Sequence, residues 1–280
     1  MAAVHELSPE ESSAVLDLAS RAAEADGIAP LSEQTLLDVR HSEGEHRLRH
    51  DAGRLVGYAY TDGESAEIVV DPGFRRRGVG GGLVAELLAA NGQVRIWAHG
   101  DLPGAPELAA SAGLAPVRTL LQMRRPLDGE LPVQRIHAGF TLRTFEPRDA
   151  EAWLRINGLS FADHPEQGQW TMEDLRQRMA EPWFDPKGFF LACKGDRVVG
   201  FHWTKVHPDG VGEVYVVGVD PSAQGVGLGR TLTLAGLHHL KSLGLSAVLL
   251  YVDAGNTSAV RLYESLGFTR SRADVMYARP

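Results

Sequence analysis

Two short stretches of this chain have the composition of an anion cradle. Residues 224–230 read Gln-Gly-Val-Gly-Leu-Gly-Arg, and residues 75–81 read Arg-Arg-Arg-Gly-Val-Gly-Gly. Each follows a β-rich run that ends in Val-Asp-Pro, and each opens a run with helical periodicity. Glycine lets the backbone adopt positive φ and lets a ligand approach closely. The unpaired N–H groups of a helix start, at the positive end of its dipole, then bind phosphate oxygens. The two stretches therefore predict sites for a pyrophosphate-type ligand. No Gly-Lys-Ser/Thr follows, so neither is a Walker loop. The strand before each turn belongs to a hairpin and does not open a βαβ unit, which argues against the usual dinucleotide fingerprint.

The elements that position these turns are themselves repeated. VDPGFRRRGVGGGL (70–83) aligns without a gap to VDPSAQGVGLGRTL (219–232), 149 positions later. Upstream, GRLVGY (53–58) resembles DRVVGF (196–201), and downstream LAASAGL (108–114) resembles LYESLGF (262–268). The second copy predicts strands at 197–207 and 211–220 joined by a Pro-Asp-Gly turn, a helix over 227–243 and a strand at 246–253. A helix over 257–266 ended by Gly267 and a strand from Phe268 complete it. The first copy predicts counterparts at 54–60, 65–71, 79–91, 93–98, 105–112 and 115–125. The chain thus divides into an N-terminal domain (1–127), a Pro- and Gly-containing linker (128–138) and a C-terminal domain (139–280). Each domain is of mixed α and β class.

Composition excludes several functions. The 280 residues carry 36 acidic and 28 basic side chains, a formal net charge of −8. A nucleic-acid binder would need a basic face, and the same balance disfavours an anionic membrane surface. The single cysteine, Cys193, precludes an internal disulfide, fits a reducing compartment and, in the run FFLACKG, reads as core. No apolar run is long enough to span a bilayer, and the acidic amphipathic N-terminus lacks the pattern of a signal peptide. The expectation is a soluble cytoplasmic monomer. His202 and His207 should face opposite sides of a strand, His238 and His239 are helix neighbours, and His41, His46 and His50 fall in a polar stretch. None has the spacing of a zinc site, so no metal is expected.

Arg/Gln-x-x-Gly-x-Gly after a strand, then helix, strand and Tyr-x-x-x-Gly-Phe, resembles the GNAT acetyltransferases. A tandem pair of such copies, with the strings DGIAPLSEQ (26–34), DHPEQG (163–168), FHWTKVHPD (201–209) and GEVYVVGVDP (212–221), resembles the mycothiol synthase family within them. The resemblance implies two tandem GNAT domains, each a mostly antiparallel, partly splayed sheet flanked by helices. It implies acetyl-CoA as co-substrate and, as acceptor, the cysteinyl amine of a cysteine–glucosamine–inositol conjugate. An acetyltransferase for another amine, such as an aminoglycoside or a peptide N-terminus, and a non-catalytic acyl-CoA sensor remain open as alternatives.

The roles implied by the resemblance fall on definite residues. An α-amine has a pKa of about 7.7–8.0, so a base must remove its proton before it attacks a thioester. Glu213 is the implied base, with Glu64 at the matching position of copy one. Tyr263 is the implied acid toward the departing thiolate. Its counterpart is Ala109, which has no proton to give, so catalysis is assigned to the C-terminal copy. Val217, Gly218 and Val219 are expected to present backbone groups where the strand splays, with Gly218 suiting a close approach. The implied cofactor residues continue with Gln224, Gly225, Val226, Gly227, Leu228, Gly229 and Arg230, then Asn256, Thr257, Ser258, Ala259, Val260 and Arg261. Helix capping accounts equally well for Asn256, Thr257 and Ser258. In copy one the implied cofactor residues are Ile68, Val69, Val70, Arg76, Arg77, Gly78, Val79, Gly80 and Gly81. For the amine substrate the resemblance points to Glu33, Glu166, Lys205, Glu213 and Tyr251.

Overall fold

A computed structural model describes residues 3–41, 43–162 and 167–280. Contacts gather the chain into two compact units. Unit 1 comprises residues 1–121, 253–255 and 272–280, and unit 2 comprises residues 122–252 and 256–271.

Unit 1 opens with helices α1 (Pro9–Asp26) and α2 (Glu33–His41). Ser8 and Glu11 form a reciprocal capping box at the start of α1, and Gly27 ends it in the left-handed conformation. Strands β1 (Glu45–Asp51), β2 (Arg54–Thr61) and β3 (Ser65–Val70) form an antiparallel meander. Helix α3 (Val79–Ala90), strand β4 (Arg95–Ala98), helix α4 (Ala105–Ser111) and the part of strand β5 (Ala115–Pro126) up to Leu121 follow. β4 runs parallel to β3, pairing Ser65, Ala66 and Glu67 with Arg95, Ile96 and Trp97. One core cluster joins α1 to β2 through Val15, Leu18 and Tyr58, and a second joins α3 and α4 to the sheet through Leu83, Leu87, Ala109 and Leu114.

Unit 2 contains β6 (Thr141–Thr144), α5 (Ala150–Ser160), α6 (Met172–Ala180), β7 (Phe189–Lys194), β8 (Arg197–Val206) and β9 (Gly212–Val219). It continues with α7 (Leu228–Ser242), β10 (Ala247–Asp253), α8 (Thr257–Ser265) and the first residues of β11 (Thr269–Ala278). β6 to β9 pair antiparallel, and β10 is parallel to β9. An aromatic core of Trp153, Phe189, Phe201 and Trp203 fills one face of the sheet. Cys193 is buried in the same cluster. On the other face α7 presents Leu228 and Leu232 to Val199. The segment after Leu127 is tied down onto α7, where Thr231, His238 and Lys241 donate to the carbonyls of Arg135, Pro132 and Gly129.

The C-terminal part of β11 belongs to unit 1: Val275, Met276 and Tyr277 pair antiparallel with Ala98, Trp97 and Ile96 of β4. The repeat alone would have kept this strand with the copy that encodes it. The elements predicted from the repeat occur within a few residues of their expected bounds, and each unit has a mixed, mostly antiparallel sheet.

Candidate functional site

The β8–β9 hairpin builds the polar end of the site in unit 2. Lys205 lies directly opposite Glu213, so the two side chains share one face of the sheet. Trp203 pairs with Val216 and Thr204 with Val214, which leaves Tyr215 as the extra residue of a β-bulge. The bulge turns the Tyr215 ring against Trp183, 4.9 Å between centroids, and the Lys205 ammonium lies 4.6 Å above Trp183 and 5.2 Å above Tyr215. These cation–π contacts offset the desolvation of a lysine only 9% exposed. Glu213 is 6% exposed. Its Oε2 lies 2.7 Å from His207 Nε2, brought back over the strand by the turn at 207–210. Trp183 Nε1, close by, is buried and makes no hydrogen bond to the described residues.

The far end of β9 supplies a backbone edge. The parallel ladder between β9 and β10 covers only Gly212, Glu213 and Val214 against Val248, Leu249 and Leu250. Beyond it, the edge of Val217, Gly218 and Val219 that faces away from β8 has no ladder, which is the expected splay. A Cβ at Gly218 would meet Phe201 at 2.6 Å and Ser160 Oγ at 2.8 Å, so only glycine lets the strand pass. The buried Ser160 Oγ itself makes no hydrogen bond to the described residues.

The glycine-rich turn follows directly. Asp220 caps it by accepting from the Ser222 N–H at 2.9 Å and the Ser222 hydroxyl at 2.7 Å, and it also holds Arg197. These bonds outweigh the cost of burial and push its carboxyl down to about 2. Gln224 Nε2 donates to the Val219 carbonyl at 3.2 Å. Gly225 and Gly227 have φ of +83° and +79°, and a Cβ at either would meet nothing within 4 Å. Glycine is needed here for the left-handed backbone, and the space above the turn is open. The first helical bond of α7 runs from the Thr231 N–H to the Gly227 carbonyl. The N–H groups of Leu228, Gly229 and Arg230 thus stand ahead of the helix ladder and suit an anionic group such as a pyrophosphate.

Helix α8 closes this side. Asn256 accepts from the Ala259 N–H at 3.1 Å and from the Ser258 hydroxyl at 3.0 Å, so both residues serve the cap. Thr257 and Arg261 are exposed, Ala259 is half-buried and Val260 packs inward. Tyr263 is 9% exposed, with its ring edge-on to Phe268 at 5.8 Å. Burial raises its phenol to about 12, so it stays protonated. Tyr251, at the exposed end of β10, accepts a hydrogen bond from Gln122 at 2.9 Å. Glu33 stands apart from these residues in the sequence, in the first turn of α2 in unit 1. Glu166 lies outside the described residues.

Unit 1 repeats the scaffold with different side chains. The β3–β4 ladder stops after Glu67 and Trp97, and Ile68, Val69 and Val70 line a cavity of about 520 Å³. Arg76, Gly78, Gly80 and Gly81 reach the same cavity. Arg76, in the place of Gly225, takes a φ of +62° without being glycine. Arg77 lies 5.0 Å over the Phe74 ring, and Val79 packs on the core. Glu64 is exposed just before β3, unlike the buried Glu213. The buried carboxylate in β3 is Glu67, 3.1 Å from His99 Nε2, while His99 Nδ1 lies 3.1 Å from Asp274. Burial opposes charge on His99, but Glu67 and Asp274 prevail and raise it to about 10.

Sequence reasoning missed His207, Trp183, Tyr215 and Ser160, because no local pattern marks a side chain that folds back or a bulge that redirects a ring. It also placed His46 in a polar stretch. In the structure His46 is fully buried on β1, with Nδ1 2.7 Å from the Tyr58 hydroxyl. Arg47 beside it is buried as well, and Glu45 and Arg49 on either side are half-buried, so charge along β1 does not mark an exposed stretch. His202 is likewise buried, its ring against the Leu232 carbonyl at 2.7 Å, and burial lowers it to about 4. Among the described residues no group of three or more His, Cys, Asp or Glu side chains has an arrangement that could hold a metal ion.

Comparison with known proteins places this scaffold. Residues 153–268 match the model of the Acetyltransferase (GNAT) family. The chain is 60% identical to a mycothiol acetyltransferase of Thermomonospora curvata, over 98% of this chain and 95% of the relative. It is 59% identical to a mycothiol acetyltransferase of Thermobispora bispora, over 97% of each. Among solved structures it superposes on a GCN5-related N-acetyltransferase from Sphaerobacter thermophilus with a TM-score of 0.71 at 26% identity, covering 98% of this chain and 93% of that one. A tandem GNAT protein from the clavulanic acid biosynthesis pathway shares the fold, with a TM-score of 0.72 at 19% identity, covering 98% of this chain and 96% of that one. With relatives of this identity along its whole length, the chain belongs to the mycothiol acetyltransferase family, a family of tandem GNAT acetyltransferases.

Proposed function

We propose that the chain transfers an acetyl group from acetyl-CoA to the cysteinyl amine of a cysteine–glucosamine–inositol conjugate, and that the second copy (139–280) does the chemistry. The observation that supports this most is the joint occurrence in unit 2 of a buried glutamate at the start of β9, a free strand edge and an anion cradle after it, and a protonated tyrosine on α8. The relatives' names supply the acceptor.

In this reading the N–H groups of Leu228, Gly229 and Arg230 hold the pyrophosphate of the co-substrate, and the open edge of Val217–Val219 aligns its arm. Glu213 removes the ammonium proton, directly or through water. The new N–C bond forms as the C–S bond breaks. Tyr263 donates a hydrogen bond to the sulfur as negative charge develops there, and its neutral phenol is the form that can do so. Lys205, Trp183 and Tyr215 provide the polar and aromatic wall for the sugar and inositol hydroxyls, with Tyr251 as a further contact. The first copy (1–127) binds acetyl-CoA in its cavity without turnover, since Ala109 stands where an acid is required.

The test is a mass-spectrometric product assay with acetyl-CoA and the cysteinyl-glucosaminyl-inositol conjugate, beside aminoglycosides and peptide N-termini. A product heavier by one acetyl group, formed fastest from the conjugate, is expected. Faster acetylation of another amine would discard the named acceptor. Binding of acetyl-CoA with no turnover of any amine would make the chain a sensor.

A further inference from the structure

Each turnover leaves a proton on the base, and the base is buried. Glu213 is 6% exposed, so its carboxylic acid has little direct access to water. Its Oε2 lies 2.7 Å from His207 Nε2, within hydrogen-bond reach, and the His207 side chain is 30% exposed. His207 follows the end of β8, where its N–H donates to the Val211 carbonyl at 2.9 Å and its carbonyl accepts from the Gly210 N–H at 2.9 Å. The ring is therefore held over the strand start by a closed turn. Among the described residues the charged groups nearby include Lys205, across the ladder and packed on Trp183 and Tyr215, Arg178, which donates to the Tyr215 hydroxyl at 2.9 Å, and Asp209, whose Oδ1 accepts from the Val211 N–H.

We infer that His207 is the exit for the proton that Glu213 takes from the substrate ammonium. This rests on Glu213 being the base. The proton passes from nitrogen to the Glu213 carboxylate, from the carboxylic acid to His207 Nε2, and from the imidazolium to water. The carboxylate is restored, and the partly exposed ring re-equilibrates its tautomers through solvent. Imidazole can take a proton at one ring nitrogen and give one up at the other, so a ring that touches the carboxylate and also reaches solvent can carry the proton outward.

The experiment compares H207Q, H207A and E213Q with the wild type in weak buffer, with acetyl-CoA and the conjugate, with and without added imidazole. Glutamine keeps a hydrogen-bond donor beside Glu213 but relays no proton. The expected result is a kcat about tenfold or more below wild type for H207Q and H207A, with unchanged KM for acetyl-CoA. Imidazole should restore H207A in proportion to its free-base concentration and leave E213Q unaffected. Wild-type kcat in H207Q, or a loss in H207A that imidazole does not restore, overturns the relay. Wild-type kcat in E213Q instead overturns the base assignment, which is a separate result.

Discussion

Ala109 and Tyr263 occupy the same place in two copies of one motif. The Leu114 N–H donates to the Ala109 carbonyl at 2.9 Å, and the Phe268 N–H donates to the Tyr263 carbonyl at 3.0 Å. Gly113 and Gly267 turn the chain between them with φ of +72° and +86°. The backbone has been kept in both copies while the side chain differs by a phenol. What distinguishes the copies at this position is therefore chemistry and not architecture.

Tyr263→Phe removes the hydroxyl and keeps the edge-on ring contact with Phe268. The expected outcome is a kcat lower by about a hundredfold, in the range for loss of one transition-state hydrogen bond, with KM for acetyl-CoA within about twofold. Steady-state kinetics at saturating conjugate check this. An unchanged kcat would remove Tyr263 from the chemistry.

Gly227→Ala places a Cβ in the open space above the turn and forces a left-handed φ on an L residue. A stability loss of about 1–2 kcal/mol is expected. KM for acetyl-CoA should rise while kcat at saturation changes less, since the methyl group competes for the space a phosphate needs. Denaturant unfolding and a titration of acetyl-CoA give the two numbers.

His99 bears on unit 1 as the pH rises. Its folded value of about 10 lies above the ordinary 6.5, so the stability it contributes is complete below about pH 6.5 and is lost as pH climbs through 10. The unfolding midpoint should fall over that window. His99→Gln leaves Glu67 and Asp274 without their cation, so it should cost about 3 kcal/mol near pH 7 and flatten the alkaline limb. Urea titrations at pH 7 and pH 10 compare the two proteins.

Asp220 bears on unit 2 as the pH falls. Its carboxyl is held at about 2, below the ordinary 3.8, so its contribution is complete above pH 4 and disappears as pH drops toward 2. Asp220→Asn should lower stability by about 1 kcal/mol at neutral pH, typical of a weakened cap, and make the acid limb shallower. Thermal melts between pH 2 and 7 measure both effects.

The scaffold was legible because the chain states it twice. The glycine turns and Tyr263 sit inside the repeated blocks, and the repeat fixes their spacing to each strand and helix, whereas Glu213 lies between two blocks and was marked by the resemblance of its GEVYVVGVDP string. Three features were not legible. The His207–Glu213 contact depends on how a turn folds a side chain back over its own hairpin. Tyr215 points where it does because of a one-residue register shift, which leaves no trace in composition. His99 and Asp274 meet across 175 positions of sequence, farther than any local periodicity reaches.

That last contact has a temporal meaning. Asp274 and the paired residues Val275–Tyr277 belong to the closing stretch of the chain, yet they complete the sheet of the unit made first. While the ribosome is still translating the second copy, β4 waits with an unpaired edge, a state prone to wrong pairing. The amino-terminal copy thus begins to form early in synthesis, yet β4 gains its β11 partner only after residues 275–277 have been made.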